Sequence, residues 1–206
     1  MTARDVVLAR VRRALRDVPP EETPADVEVV RSGPSTAPLT PGHVELFAER
    51  VAQYRARVVR CVPDDLVATL VPLLEDVSTL LVPFDLPRGL RPAGPRHIED
   101  RQLPTGELDA VDGVLTTARL GIVETGTIVL DHGPGQGRRA ATLVPDIHVC
   151  VLWADQLVAG VPEAIVNLDP TRPHTWISGP SATSDIELER VEGVHGPRTL
   201  RVVLVG

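Results

Sequence analysis

The amino-acid sequence predicts an α/β protein whose open, mostly parallel sheet carries helices on both faces. Short apolar runs alternate with helix-periodic segments over about 150 residues, and this alternation is typical of parallel sheets covered by helices. Hydrophobic residues make up 43% of the 206 residues, but aromatic residues only 2%. The core must therefore be built from Val, Leu, Ala and Ile, the side chains that fill buried parallel strands. A chain of this length can bury one substantial core.

The first part of the chain is predicted to precede the main domain. Residues 1–17 are predicted to form an amphipathic helix, because apolar side chains recur between arginines after the candidate N-cap Thr2. Residues 18–39 are rich in proline, with Ser, Thr and Glu in between, and this composition is typical of an exposed tether. The α/β domain is predicted to span residues 40–206.

Helical and extended segments alternate through the first half of the predicted domain. Thr40 and Pro41 are a typical N-cap and first helical residue, so a helix is predicted from there to about Arg57. The elements predicted next are a strand at 58–62, a helix at 64–75, a strand at 79–84 and a Pro- and Gly-rich loop at 88–106.

The second half continues the alternation. Thr125 and Gly126 form a predicted tight turn between two apolar runs. The predicted strands lie at 111–117, 121–123, 127–130, 147–152, 175–178 and 200–205. The predicted helices lie at 138–143, after a glycine-rich loop, and at 155–168, where Gly160 and Pro162 interrupt the pattern.

Charge and cysteine content exclude several classes of function. All 21 basic residues are arginine, so Schiff-base enzymes, pyridoxal-phosphate enzymes and P-loop NTPases are excluded for lack of a lysine. The net charge of −7, without a basic run, opposes binding to nucleic acid or to an anionic membrane. Cys61 and Cys150 are the only cysteines, and both are predicted to be buried thiols. An iron–sulfur cluster or a structural zinc held by this chain alone is therefore not expected, and the sequence shows no evident cofactor site.

The sequence also bears on the compartment. Its apolar runs are shorter than a membrane span requires, so no transmembrane helix is predicted. The first residues are charged and helix-periodic and do not have the uninterrupted apolar core of a secretion signal. The predicted location is the cytoplasm.

Residues 177–198 are predicted to hold a small anion. Hydroxyl and carboxylate side chains follow a Gly-Pro pair here, as at the start of a helix, where free N–H groups and the helix dipole attract negative charge. A histidine and an arginine follow before the last strand. The candidate binding residues are Ser178, Gly179, Ser181, Thr183, Asp185 and Arg198, with His195 as a candidate catalytic residue. The alternative is that these residues only cap and turn the chain.

A second candidate is the turn from Glu124 to Thr127, in which Thr125, Gly126 and Thr127 are candidate binding residues. Glu124 is a candidate catalytic residue, because partial burial raises the pKa of a glutamate and suits it to act as a base or nucleophile. The alternative is a turn glutamate that faces water. The glycines at 133–137 match neither common phosphate-loop pattern. The other histidines considered, predicted to be surface or core side chains, are His132, His148 and His174.

Three motifs in this order resemble the lactate-utilisation protein C family, the stand-alone LUD domain. They are Gly-Ile-Val-Glu-Thr-Gly-Thr-Ile-Val-Leu at 121–130, Thr-Leu-Val-Pro-Asp-Ile-His-Val at 142–149, and Ile-Ser-Gly-Pro-Ser-Ala-Thr-Ser-Asp-Ile-Glu with Gly-Val-His-Gly-Pro-Arg at 177–198. The resemblance implies a fold similar to the ribose-5-phosphate isomerase and CoA-transferase-like group. It also implies a role in a three-component cytoplasmic system that oxidises L-lactate to pyruvate, with iron–sulfur clusters carried by partner proteins. Residues 117–119 depart from the pattern, with Thr-Ala-Arg where an acidic residue is expected.

Three functions stay open at this point. The first is a component of a lactate-oxidising complex that binds a small carboxylate through Arg198 and the Glu124 turn, with His195 exchanging a proton. The second is a self-sufficient enzyme acting on a sugar phosphate or an acyl-CoA, with Glu124 as nucleophile or base and the glycine loop around the phosphate. The third is a scaffold module without chemistry. Fold analogy decides none of them.

Overall fold

A computed structural model of the protein describes residues 2–16, 39–183, 191–192 and 196–206. The chain divides into two compact units, Met1–Gly33 and Pro34–Gly206. In the first unit, helix α1 spans Ala3–Ala14 and is closed by a capping box. Thr2 Oγ1 accepts a hydrogen bond from the Asp5 N–H, while the Asp5 carboxylate accepts one from the Thr2 N–H. The structure thus has a helix at Ala3–Ala14 with Thr2 as its N-cap, where the sequence predicts a helix over residues 1–17.

The second unit alternates helices and strands in its described residues. Its helices are α2 (Pro41–Gln53), α3 (Leu66–Leu70), α4 (Thr105–Asp109) and α5 (Val161–Asn167). Its strands are β1 (Arg57–Cys61), β2 (Thr79–Pro83), β3 (Arg96–Asp100), β4 (Gly113–Thr117), β5 (Leu120–Ile122), β6 (Thr127–Leu130), β7 (Ile147–Trp153), β8 (Leu157–Val158), β9 (Thr175–Ile177), β10 (Ala182–Thr183), β11 (Val191–Glu192) and β12 (Thr199–Val205).

The main sheet confirms the predicted α/β class. Six strands lie in the order β1-β12-β7-β4-β2-β3, and every neighbouring pair is parallel. The central strands are mostly apolar because both faces of the sheet are covered, and His148 in β7 and Arg201 in β12 interrupt this pattern. The register pairs Thr116 with Cys150 and Cys150 with Val202, so these three side chains stand on one face of the sheet.

Helices cover both faces, and a smaller sheet covers one of them as well. The smaller sheet has the strand order β8-β5-β6-β9. Together with α2 it packs on the face that carries Cys150, in a core that includes Phe47, Leu130 and Leu152. Helix α3 and its flanking turns pack on the opposite face, where Leu70 contacts the core that contains Val151.

Strand β3 and the first residues of α4 lie within the predicted loop at 88–106, so that prediction was wrong in part. Strand β3 forms the edge of the main sheet next to β2, and α4 begins at Thr105. The sequence of β3, Arg-His-Ile-Glu-Asp, has a single apolar residue, Ile98. An edge strand needs only one partner and can keep charged side chains, so it lacks the apolar run that identifies a buried strand.

Three predicted helices also differ from the structure. Residues 138–143 form turns, and the predicted helix at 155–168 contains β8 before α5 begins after Gly160. Where a helix was predicted to start after Ser181, strands β10 and β11 pair in antiparallel orientation. Residues 184–190, which include the rest of that prediction, lie outside the described residues. Ser, Thr, Asp and Gly specify turns as readily as helix starts. None of the described helices is both long enough and apolar enough to cross a bilayer.

Candidate functional site

A cavity of about 250 Å³ lies beneath the residues that follow β9. Its floor is the face of the main sheet that carries His148 and Leu200, and its walls come from 139–143, 175–181 and 196–197. The polar side chains that line it are Arg139, Thr142, His148, Thr175, Ser178 and Ser181. One water occupies about 30 Å³ in the liquid, so this space admits a small organic acid.

A row of hydroxyl groups joins the β5–β6 turn to this cavity. The antiparallel register pairs Ile128 with Ile177, so the preceding Thr127 lies opposite Ser178. The oxygens of Thr127 Oγ1 and Ser178 Oγ are 2.8 Å apart, and Thr125 Oγ1 lies 2.7 Å from Thr127 Oγ1. The two loops that the sequence singled out therefore meet through hydrogen-bonded side chains.

Two glycines of these loops are required by their close approach to α2 and to its C-cap residue, Tyr54. Gly126 has a φ of 61°, and a Cβ on it would lie 2.7 Å from Arg50 Cβ. Gly179 has a φ of 85°, and a Cβ there would lie 2.4 Å from Tyr54 Cβ. A side chain at either position would combine left-handed backbone with a steric overlap. The close contacts of Gly126 with Arg50 and of Gly179 with Tyr54 thus fix the β5–β6 turn and the cavity wall relative to each other.

Several predicted site residues lie elsewhere or outside the described residues. Glu124 is exposed, and its Oε2 lies beside Gly160, where a Cβ would approach it to 3.0 Å; it does not line the cavity. Thr183 belongs to β10. Asp185 and His195 lie outside the described residues. Of the predicted residues, the structure brings Ser178, Gly179 and Ser181 to the cavity, with Thr125 and Thr127 behind them.

Arg198, predicted to bind the anion, is paired with a carboxylate. Its guanidinium donates to Asp146 through Nε, at 3.0 Å, and through a second, closer contact from Nη2. Both side chains are exposed, and neither lines the cavity. The carboxylate hydrogen bond raises the pKa of Arg198, so its charge is permanent but already matched.

Arg139 is the arginine that lines the cavity among the described residues, and sequence reasoning missed it. Its Nη1 reaches Thr175 Oγ1 at 3.5 Å, and among the described residues no carboxylate lies within 4.0 Å of its guanidinium. Its neighbour Arg138 instead makes two bonds to Asp100, of 2.9 and 3.1 Å. The sequence shows an Arg-Arg pair after the glycine-rich loop, but it does not show which of the two arginines lines the cavity.

His148 is the second missed residue. It is 1% exposed at the cavity floor, and its Nε2 lies 2.8 Å from Thr116 Oγ1, which donates to Cys150 Sγ at 3.8 Å. Burial lowers the pKa of His148 to about 4, so the ring is neutral near neutral pH. Burial likewise raises the pKa of Cys150 to about 12, although its hydrogen bond with Thr116 opposes this, so the sulfur remains a thiol.

These residues lie in the part of the chain that matches a known family. Residues 95–205 match the model of the LUD domain. The chain belongs to the LUD domain family. It is 39% identical to a protein named Lactate utilization protein C from Deinococcus radiodurans, over 97% of this chain and 94% of that protein. A protein of the same name from Halalkalibacterium halodurans is 31% identical, over 49% of this chain and 46% of that protein.

A solved structure supports the fold of this LUD domain. The crystal structure of a DUF162 family protein from Deinococcus radiodurans superimposes with a TM-score of 0.71 at 36% sequence identity. The match covers 82% of this chain and all of that chain, 100%. The α/β class and the LUD resemblance expected from the sequence are therefore confirmed.

The glycine-rich loop of the LUD domain uses its backbone donors internally. The N–H of Gly133 donates to Asp131 Oδ1, and that of Gly135 to Asp85 Oδ1, both at 3.1 Å. The N–H of Gln136 donates to the Gly133 carbonyl, also at 3.1 Å. Three of the donors that a phosphate cradle would need are thus already engaged.

Two larger cavities flank this loop. One, of about 470 Å³, is lined by Phe84, Arg101 and His132 among others, and both ring nitrogens of His132 are hydrogen-bonded within the protein. The other, of about 650 Å³, is lined by Arg119 and Arg172, whose guanidinium groups both face the Asp131 carboxylate. Across the described parts of the chain, no group of three or more His, Cys, Asp or Glu side chains could hold a metal ion.

Proposed function

We propose that this LUD domain is a component of a cytoplasmic L-lactate utilisation system. The system oxidises lactate to pyruvate together with iron–sulfur partner proteins, and this chain contributes a binding site for the small carboxylate. The 39% identity to a protein named Lactate utilization protein C, over nearly the full length of both, supports the proposal. Oxidation of lactate releases two electrons, and the proposal assigns their transfer to the partners.

The observation that carries the binding role is the Arg139 guanidinium. It lines a cavity of suitable size, and its charge is unmatched by any carboxylate of the described residues. A planar guanidinium binds a carboxylate through two parallel hydrogen bonds. The hydroxyl of Ser178 lines the same cavity and can act as a further donor, whereas the hydroxyl of Thr142 donates to the Arg139 carbonyl oxygen at 3.2 Å. In a chain without lysine, arginine is the only permanent side-chain cation available for this task.

Calorimetric titration of the purified chain with L-lactate tests the binding role. A charge-assisted hydrogen bond contributes about 1.5–3 kcal/mol, so Arg139→Ala should weaken binding by about ten- to a hundredfold. Arg88→Ala removes an equal charge from an exposed arginine outside the cavity and serves as the matched control. Unchanged affinity in Arg139→Ala would refute this site. If only Arg198→Ala lost affinity, the anion would bind to Arg198, as predicted from the sequence, and not to Arg139.

Membership of a complex is tested by purifying the tagged chain from its own host grown on lactate. The proposal expects accompanying proteins that contain iron and acid-labile sulfide. A host that lacks the chain should grow poorly on lactate and recover when the wild-type chain is restored. Normal growth of the deletion strain on lactate would contradict the proposal.

A further inference from the structure

The strand order of the main sheet marks a crevice at its carboxyl edge. Strands β2 and β4 are neighbours, but β2 is followed by β3 on one side, whereas the chain leaves β4 through the smaller sheet and returns as β7 on the other side. The two connections lie on opposite faces, since Leu86 packs in the core with α3 and Leu130 in the core with α2. Open α/β sheets bind ligands at such a switch point, outside the carboxyl ends of the strands.

The cavity of about 470 Å³ lies at this edge. It is lined by residues 83–85 at the end of β2, by residues 100–102 at the end of β3, and by the glycine-rich loop. This loop also reaches the end of β4, because the N–H of Thr117 donates to the Gly135 carbonyl at 2.9 Å. The cavity therefore lies where the strand order favours a ligand.

The backbone around this cavity adopts conformations that non-glycine residues rarely use. Among the described non-glycine residues, Arg55, Gln102 and His132 have a positive φ, and the last two, at 66° and 55°, line the cavity. The N–H of Gln102 donates to Asp100 Oδ1 at 3.1 Å, and Nδ1 of His132 lies 2.8 Å from the Gly137 carbonyl oxygen. Such conformations are costly and concentrate at ligand sites.

Phe84 gives the cavity an open aromatic surface. The chain has two phenylalanines, and whereas Phe47 is 0% exposed in the core, Phe84 is 60% exposed where it lines the cavity. The Arg101 guanidinium carbon lies 6.0 Å from the centre of the Phe84 ring, further than the about 3.5–4.0 Å of direct contact. The ring is thus left uncovered, and a ligand that covers it gains from burying apolar surface.

The arginines that line this cavity are already paired with carboxylates. Arg138 makes two hydrogen bonds to Asp100, of 2.9 and 3.1 Å. Arg101 makes two to Glu99 Oε2, of 3.2 and 2.9 Å. The remaining acidic side chain of the lining, Asp85, is negative. The cavity therefore has no unmatched arginine for a phosphate or a carboxylate, and its open surface is the Phe84 ring.

We infer that this cavity is a second ligand site, in which the flat heteroaromatic ring of a small molecule, such as a nucleobase, stacks on Phe84. Every nucleobase has a π-face that stacks on an aromatic side chain. The carboxylate of Asp85 accepts hydrogen bonds and so favours a ring that carries an amino group. The cavity with Arg139 is a separate site, because its floor at His148 and Leu200 lies near the amino ends of β7 and β12.

Calorimetric titration of the purified chain with adenosine, an uncharged nucleoside with an amino group, tests the inference. Phe84→Ala should weaken binding of adenosine at least about fivefold, the usual effect of losing one stacking partner. Phe84→Tyr keeps a ring and should stay within about threefold of the wild-type affinity. Ile165→Ala is the matched control, because Ile165 is 59% exposed on α5 and lies outside the cavity.

Three results would overturn the inference. They are failure of adenosine to bind at millimolar concentration, equal affinities of Phe84→Ala and Ile165→Ala, and displacement of adenosine by inorganic phosphate, which would indicate an anion site. Binding that depends on the ring at position 84 and persists in phosphate supports it. Neither lactate nor Arg139 enters this assay, so each result leaves the proposed function as it stands.

Discussion

Burial of a neutral histidine makes the stability of this protein depend on pH in a defined way. In the unfolded chain His148 has an ordinary pKa near 6.5, whereas burial lowers it to about 4 in the folded protein. As the pH falls, the unfolded chain therefore binds a proton before the folded protein does. Proton binding then favours unfolding, so stability is fully present above about pH 6.5 and declines as the pH falls toward 4.

The size of the effect follows from the two pKa values. Lowering the pKa from 6.5 to about 4 makes the protonated ring about 3 kcal/mol less favourable in the folded protein than in the unfolded chain. Only part of this is reached in mild acid. Between about pH 7 and about pH 5 the free energy of unfolding should fall by about 2 kcal/mol because of His148. That is a large share of the total stability of an ordinary domain.

The assay is urea unfolding followed by tryptophan fluorescence, with His148→Gln as a reference that cannot titrate. Carboxylates such as Asp76 and Asp112, whose pKa values are lowered by hydrogen bonds to Arg201 and Thr79, stay ionised in this range and cancel in the comparison. The wild-type protein should lose about 2 kcal/mol relative to the reference between the two pH values. Parallel pH dependence in both proteins would show that His148 is not held neutral by burial and would refute the reasoning.

Two further predictions concern the close packing of Gly126 and the exposure of the two cysteines. Gly126→Ala should lower the free energy of unfolding by about 2–4 kcal/mol, because its Cβ would meet the α2 backbone at Arg50. Gly89→Ala, where a Cβ meets open space, should change the free energy of unfolding by at most about 1 kcal/mol. Equal effects of the two substitutions in urea unfolding would contradict the close contact of Gly126 with Arg50. A thiol reagent should modify half-buried Cys61 in the native protein but reach Cys150 only after unfolding; rapid native labelling of both would contradict the burial of Cys150.

The elements that the sequence predicted well are those whose signal is local. The apolar runs of β2, β7 and β12 are predictable because buried parallel strands need no polar face. The turn before Thr127 is marked by its own glycine. Strand β3 was missed because an edge strand is defined by its neighbour β2, and its charged residues resemble a loop. The same limit applies to 138–143, where helix-compatible residues form turns.

The sequence predicted the kinds of residue that line the site, but it could not show which arginine lacks a carboxylate partner and can bind an anion. The sequence does not distinguish Arg138, Arg139 and Arg198. In the folded chain, Arg138 forms a salt bridge with Asp100 and Arg198 forms one with Asp146. Only Arg139 lines the cavity without a carboxylate partner among the described residues. His148 likewise lies in an apolar strand, and its role depends on a cavity that the sequence does not display.

The cavity depends on parts of the chain outside the segment that matches the LUD domain model. That segment, 95–205, excludes α2 and its C-cap Tyr54, yet Gly126 packs closely against Arg50 of α2 and Gly179 against Tyr54, and these contacts fix the hydroxyl row against the cavity wall. It also excludes β2, which lies between β3 and β4 in the main sheet. An interior strand cannot be removed without leaving two unpaired edges. The folding unit that builds this site must therefore extend back at least to α2, and the binding geometry belongs to that larger unit.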